Sequence, residues 1–263
     1  MIHFTTLQLE HWIGRIFWPF LRILALLSTA PVFSATQIPI QVRVGLALLI
    51  SVAIAPALPT MPAVHFLSGA GFVLLIQQIL IGTALGFAVA VIFSVVQFAG
   101  SVISLQMGLG FSSFFDPVTG VQVPTLSNFL NLIVLLLFMT MNGQLLVLAT
   151  LTRSFVLLPV TTTLRLDPSA WHLLVEEGAT IFSLGLAISA PVLGTLVLVN
   201  IALGVLGKSA PQLNIFVVGF PVLLGLGILA LYVFMPAMTM IVQHLLNLSM
   251  ETAGQVMLSA AHP

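Results

Sequence analysis

The chain has 263 residues, of which 60% are hydrophobic and 5% charged, and its six Lys and Arg balance six Asp and Glu. A soluble domain carries about 25% charged residues, and far more polar surface is needed to cover a soluble chain of this length. With a mean hydropathy of +1.24, the chain has lipid or other apolar protein as its main solvent. Neutrality excludes a nucleic-acid binder, which needs a basic face to displace counterions. The lack of cysteine excludes a disulfide framework, a thiolate metal site and a Cys nucleophile.

The first charges are Glu10 and Arg15, followed by Arg22 inside an apolar run. No compact apolar stretch ending in an Ala-x-Ala site follows, so the N-terminus reads as a first membrane segment rather than a signal peptide. Apolar stretches run roughly over 12–33, 42–58, 71–98, 129–151, 179–206 and 215–246. Most approach the ~20 residues that cross ~30 Å of hydrocarbon. The second is short and ends at Pro56, Pro59 and Pro62. Unpaired backbone groups in lipid cost several kcal/mol, so these stretches are expected to be helices. Continuous runs such as Leu132–Phe138 and Val192–Val199 exclude the alternating segments of a membrane β-barrel.

Basic residues in the loops should set the orientation, but they disagree. Arg43 lies in the first connection and Lys208 in the fifth, whereas Arg153 and Arg165 lie in the fourth. Pro31, Pro191, Pro221 and Pro236 sit within or at the ends of apolar runs. A helix broken there must have its freed carbonyls satisfied by neighbours. The expected fold is an all-α integral membrane protein, one membrane domain over 1–263, built of long, Pro/Gly-broken helical hairpins packed in a larger assembly. No soluble domain is expected. The longest polar connection is about Arg153–Gly178.

Several motifs mimic chemistry without supporting it. Ala202–Ser209 resembles a phosphate-binding loop, but Ala202 replaces the first glycine and no strand precedes it; it reads as a polar turn at a membrane surface. Gly108–Ser113 lacks the last glycine and the βαβ context of a dinucleotide fingerprint. His172 and Glu176, at i and i+4, are too few for a metal site and read as a solvated helical turn. No catalytic, metal-binding or cofactor-binding residue is expected. Gly82 and Gly86, one turn apart, are candidates for close helix packing. Arg15 and Arg22 are candidate functional charges, yet lie within snorkelling reach of a helix end. Gln77, Gln78 and Gln97 are candidates for interhelical hydrogen bonds.

The most informative stretch is Gln106–Gln122. Gly108, Gly110 and Gly120 loosen its backbone, and Asp116-Pro117 favours a turn. Met107, Phe111, Phe114 and Phe115 are too bulky and apolar for an ordinary exposed loop. Either the stretch packs into a protein interior, dips into lipid, or fills a pore that it seals by plugging and dewetting.

The wording of the chain then carries a resemblance. Ser28-Thr29-Ala30-Pro31-Val32-Phe33, Ile38-Pro39 and Val42-Arg43-Val44-Gly45-Leu46 open it, followed by Gln77-Gln78-Ile79-Leu80-Ile81-Gly82 and Leu85-Gly86-Phe87. Leu105-Gln106-Met107-Gly108-Leu109-Gly110-Phe111 leads to Asp116-Pro117. Asn142-Gly143, Ser154-Phe155 and Leu158-Pro159 come next, then Ala210-Pro211-Gln212-Leu213-Asn214-Ile215-Phe216 and Gly219-Phe220-Pro221. In this order and spacing, over roughly residues 15–245, the chain resembles the FliR/SctR family of type III secretion export-gate proteins. Gln144 departs from the His that many relatives carry after Asn-Gly, which puts a titratable role there in doubt.

The resemblance implies a non-enzymatic subunit of the bacterial inner membrane, in the flagellar basal body, without cofactor. It implies assembly with FliP and FliQ in a helical spiral around an export pore, neighbours FlhB and FlhA, and unfolded proteins as substrates. It implies a FliP-like part over about 1–178, with a plug loop over 106–122, and a FliQ-like hairpin over about 179–250. The plug residues would be Gln106, Met107, Gly108, Gly110, Phe111, Phe114, Phe115, Asp116 and Pro117; Pro211, Gln212 and Asn214 would form the family's turn. The equivalent injectisome subunit is the alternative, and a small-molecule or ion permease the next. A permease usually carries an internal inverted repeat, and none is evident.

Overall fold

The computed structural model describes residues 6–59, 61–62, 64–65, 68–109, 125–161, 168–210 and 215–261. The described residues are helical, with no strand among them. Helix α1 (Thr6–Thr29) ends where Ala30 turns extended, at ψ 120°, ahead of Pro31. The proline ring crowds the residue before it out of the helical region. The same proline, with φ preset, opens the short α2 (Pro31–Ser34). Helix α3 (Ile40–Ile54) runs into a 3-10 turn, Ala55–Ala57, and Leu58 is again extended before Pro59. Helix α4 (Gly69–Gln106) has 38 residues, about 57 Å at the standard rise, far beyond one bilayer core. The Ser68 hydroxyl accepts from the Gly71 N–H at 3.1 Å and so caps its start.

Two apolar stretches are interrupted where continuity was expected or left open. Residues 129–151 divide into α5 (Thr125–Thr140) and α6 (Gly143–Leu157), which bend by 68°. Asn142 at the break has φ 58°, a left-handed conformation that Asn tolerates better than other side chains. Residues 215–246 divide into α8 (Ile215–Phe234) and α9 (Ala237–Ala261), bent by 63° at the Met235-Pro236 step. Between these pairs lies α7 (Pro168–Ser209), 42 residues long.

The prolines therefore act unequally. Pro31 and Pro236 mark breaks, whereas Pro19, Pro191 and Pro221 stay inside helices. An internal proline removes one ladder bond and costs about 3 kcal/mol, and an apolar segment in lipid has no extended alternative to escape to. The polar connection expected over 153–178 is largely helical, because α6 continues to Leu157 and α7 starts at Pro168. Likewise Ala202–Ser209 forms the last turns of α7 rather than a surface turn.

Ile40–Ala57, Gly69–Gln106 and His172–Ser209 are each long and apolar enough to cross a membrane, and the two bent pairs each pass as a broken span, giving up to five. The chain forms two compact units, each discontinuous in sequence: one of Met1–Ile92, Asn142–Gly178 and Leu246–Pro263, the other of Phe93–Met141 and Ala179–Leu245.

In the first unit α1 packs on α3, and Trp18, Ile23, Leu26 and Leu27 of α1 and Ala47 of α3 are buried. The Ser51 hydroxyl donates to the Ile16 carbonyl at 2.6 Å across this pair. The second unit centres on buried Ile103, Met107, Val192, Leu196 and Leu231. Phe93 meets Phe138 at 5.8 Å between ring centroids, and Phe98 meets Phe182 edge-on at 5.2 Å, a geometry that favours aromatic pairs.

Candidate functional site

The informative stretch is rooted in the second unit. Gln106 is the last residue of α4. The next residue, Met107, is buried and donates its N–H to the Ile103 carbonyl at 2.9 Å. Gly108 turns left-handed at φ 78° and donates to the Leu105 carbonyl at 3.1 Å, a helix-ending geometry that suits glycine. The Met107 side chain lies against α8 at Gly227, where an added Cβ would come within 2.7 Å of Met107 Cγ and Cε. Met107 thus anchors the start of the stretch in a core shared by α4, α7 and α8. Gly110, Phe111, Phe114, Phe115, Asp116 and Pro117 lie outside the described residues, as do Pro211, Gln212 and Asn214.

In the first unit, Gly82 and Gly86 face α1. A Cβ on Gly82 would collide with the Arg22 carbonyl oxygen and reach within 2.7 Å of Ala25 Cβ. One on Gly86 would collide with Thr29 Oγ1 and lie 2.9 Å from the Leu26 carbonyl. The Thr29 hydroxyl already donates to the Ala25 carbonyl at 2.8 Å, so it has little freedom to withdraw. Without side chains at these positions, two helix backbones come close enough for extensive dispersion contact, which drives helix association in lipid.

Arg22 departs from the sequence reading. It does not snorkel to a helix end; it is completely buried. Its Nε donates to Gln78 Oε1 at 2.8 Å, Nη1 to Ser154 Oγ at 3.0 Å and Nη2 to the Leu158 carbonyl at 2.9 Å. The guanidinium also sits 4.1 Å from the centroid of the Phe155 ring. These partners are neutral. The charge is compensated by directed dipoles, the aromatic face and the C-terminal end of α6, where free carbonyls leave partial negative charge. Nothing local in the sequence marks this site, because the partners lie 56, 132 and 136 residues away.

Other candidates are placed more simply. Gln78 makes the interhelical bond expected of it, Gln77 is buried, and Gln97 is exposed. His172 Nδ1 and Glu176 Oε1 lie 3.1 Å apart on an exposed face of α7. Among the described residues no group of three His, Cys, Asp or Glu converges as metal ligands would.

These features define an integral membrane protein of broken helical hairpins, held together by glycine-lined seams and buried polar bonds. Residues 13–249 match the model of the bacterial export proteins, family 1, and the chain belongs to that family. It is 42% identical over 247 residues to the flagellar biosynthetic protein FliR of Pectobacterium carotovorum subsp. carotovorum, covering 94% of each chain. It is 41% identical over 249 residues to FliR of Escherichia coli (strain K12), again covering 94% of each. Against FliR of Bacillus subtilis (strain 168) the identity is 30% over 239 residues, 89% of this chain and 90% of the relative.

Proposed function

We propose that the chain helps form and close the pore through which unfolded flagellar proteins leave the cell. It is a non-enzymatic component of the flagellar type III export gate, embedded in the bacterial inner membrane at the basal body. The observation that carries this reading is the match over residues 13–249 to bacterial export proteins, with near-full-length relatives named as flagellar biosynthetic proteins. The family resemblance supplies FliP and FliQ as co-assembling subunits, FlhB and FlhA as neighbours, and a spiral arrangement around the pore. Extensive apolar surface supports such assembly: only 17% of Ile40–Ala57, and 17% of an apolar 18-residue stretch within His172–Ser209, is buried within the chain. On the same reading, residues 1–178 are the FliP-like part and 179–250 the FliQ-like hairpin.

The stretch 106–122 is the plug. Buried Met107 and left-handed Gly108 fix where it leaves α4. Phe111, Phe114 and Phe115 supply the bulk that excludes water and ions.

Clean deletion of the gene, followed by motility and secretion assays, tests the reading. Loss of hook and filament proteins from the medium, restored by a plasmid copy, is expected. Unchanged flagellar secretion overturns it; lost virulence effectors with normal motility moves the chain to the injectisome.

A further inference from the structure

We infer that Arg22 and Gly82 form a single clamp: the glycine sets the depth at which α1 meets α4, and the arginine, held at that depth, fastens the C-terminal turn of α6. The observations share one register. A Cβ on Gly82 would collide with the Arg22 carbonyl oxygen, while Gln78, one turn earlier on α4, accepts from Arg22 Nε at 2.8 Å. Main chain and side chain of one residue are therefore gripped by successive turns of one helix. The other arms of the guanidinium reach Ser154 Oγ at 3.0 Å and the Leu158 carbonyl at 2.9 Å. Ser154 is itself fixed, donating to the Leu151 carbonyl at 2.6 Å, and its own carbonyl accepts the Leu158 N–H at 2.9 Å. The closing turn of α6 thus presents two acceptors and the Phe155 face to one planar fork. A lysine carries a point charge and cannot span all three directions in a fixed plane.

The geometry makes the two residues interdependent. A side chain at position 82 must move α1 away from α4, because its nearest obstacles are the Arg22 backbone and the Ala25 Cβ. A shift of a few tenths of an ångström or more stretches the Arg22–Gln78 bond and withdraws the fork from α6. Loss of the fork leaves the Leu158 carbonyl and the Ser154 hydroxyl short of a donor in an apolar setting, which favours opening of that turn. The clamp holds the closing turn of α6, at Ser154 and Leu158, and does not depend on the export reading.

The test is hydrogen exchange by mass spectrometry on the full chain in its native membrane complex, comparing Arg22→Met, Gly82→Ala, the double variant and wild type. Each single variant should speed exchange over residues 154–161 by about ten-fold or more, the factor for losing one hydrogen bond to a charged group. Residues 218–234, in the other unit, should not change. The double variant should exchange no faster than the faster single. Arg22→Lys should fail to restore slow exchange. Unchanged exchange at 154–161 in either single variant, or multiplied effects in the double, overturns the clamp. Should Arg22→Met not accumulate, Ser154→Ala and Gln78→Leu each remove one arm and are judged by the same local reading.

Discussion

At the scale of single residues, the glycines of this chain are not equivalent. Gly82 and Gly86 occupy space that a methyl group cannot enter, whereas Gly254 on α9 has nothing within 4 Å of where a Cβ would stand. Gly86→Leu should therefore lower the melting temperature of the detergent-solubilised complex, by a loss of about 1–3 kcal/mol from overpacking. Gly254→Ala should leave it unchanged or raise it, since alanine is favoured over glycine in a helix by about 1 kcal/mol. Equal effects of the two substitutions would remove the close-contact account. Met107 behaves as a core residue: Met107→Ala should cost about 2–5 kcal/mol through the cavity it leaves, read as a lower melting temperature. Leu105, next to α4's end and exposed, is the control, and its substitution by alanine should cost much less.

At the scale of elements, what distinguishes this chain from a plain bundle is where its helices break. Asn142 adopts φ 58° between α5 and α6. Asn142→Gly should be accepted, because glycine enters the left-handed region freely. Asn142→Val should lose about 1–2 kcal/mol, visible as reduced membrane abundance and a lower melting temperature. If Val is tolerated as well as Gly, the left-handed turn does not hold the break. The dipeptide Asn142-Gly143 was legible as a motif, yet its apolar flanks concealed the bend. Prolines were legible as breakers but not as to which would break. Pro236 falls between two helices while Pro221 lies inside one, although the ring and the missing N–H are the same at both. Helix α7 also takes in His172 and Glu176, whose side chains meet each other on an exposed face and leave the backbone bonds to the helix.

At the scale of the molecule, the exposed apolar faces of the helices over 40–57 and 172–209 require lipid or partner helices as their surroundings. The chain expressed alone should consequently aggregate or be degraded, and co-expression with FliP and FliQ should recover a monodisperse complex in size-exclusion chromatography. Recovery without partners would speak for a self-sufficient permease. Replacing Phe111, Phe114 and Phe115 with small residues in an assembled gate should raise small-ion leakage, measured as conductance or as growth inhibition by permeant ions. Unchanged leakage would remove the plug from the account. Membrane class, helical state and family are legible in the sequence, whereas the anchoring of Met107 is not, because only the packing of α8 sets Gly227 opposite it.

The sequence by itself determined that this is a helical membrane protein of an export family. Composition selects the solvent, lipid forces backbone groups into helices, and the ordered motif wording carries the kinship. Only the tertiary structure decided what Arg22 does. Its partners lie on α4 and at the end of α6, and the same apolar run is compatible with a snorkelling arginine or a buried one. The choice depends on whether distant helices bring enough neutral acceptors to one point to offset the desolvation of a charge, and that sum is settled by packing, which no local pattern encodes.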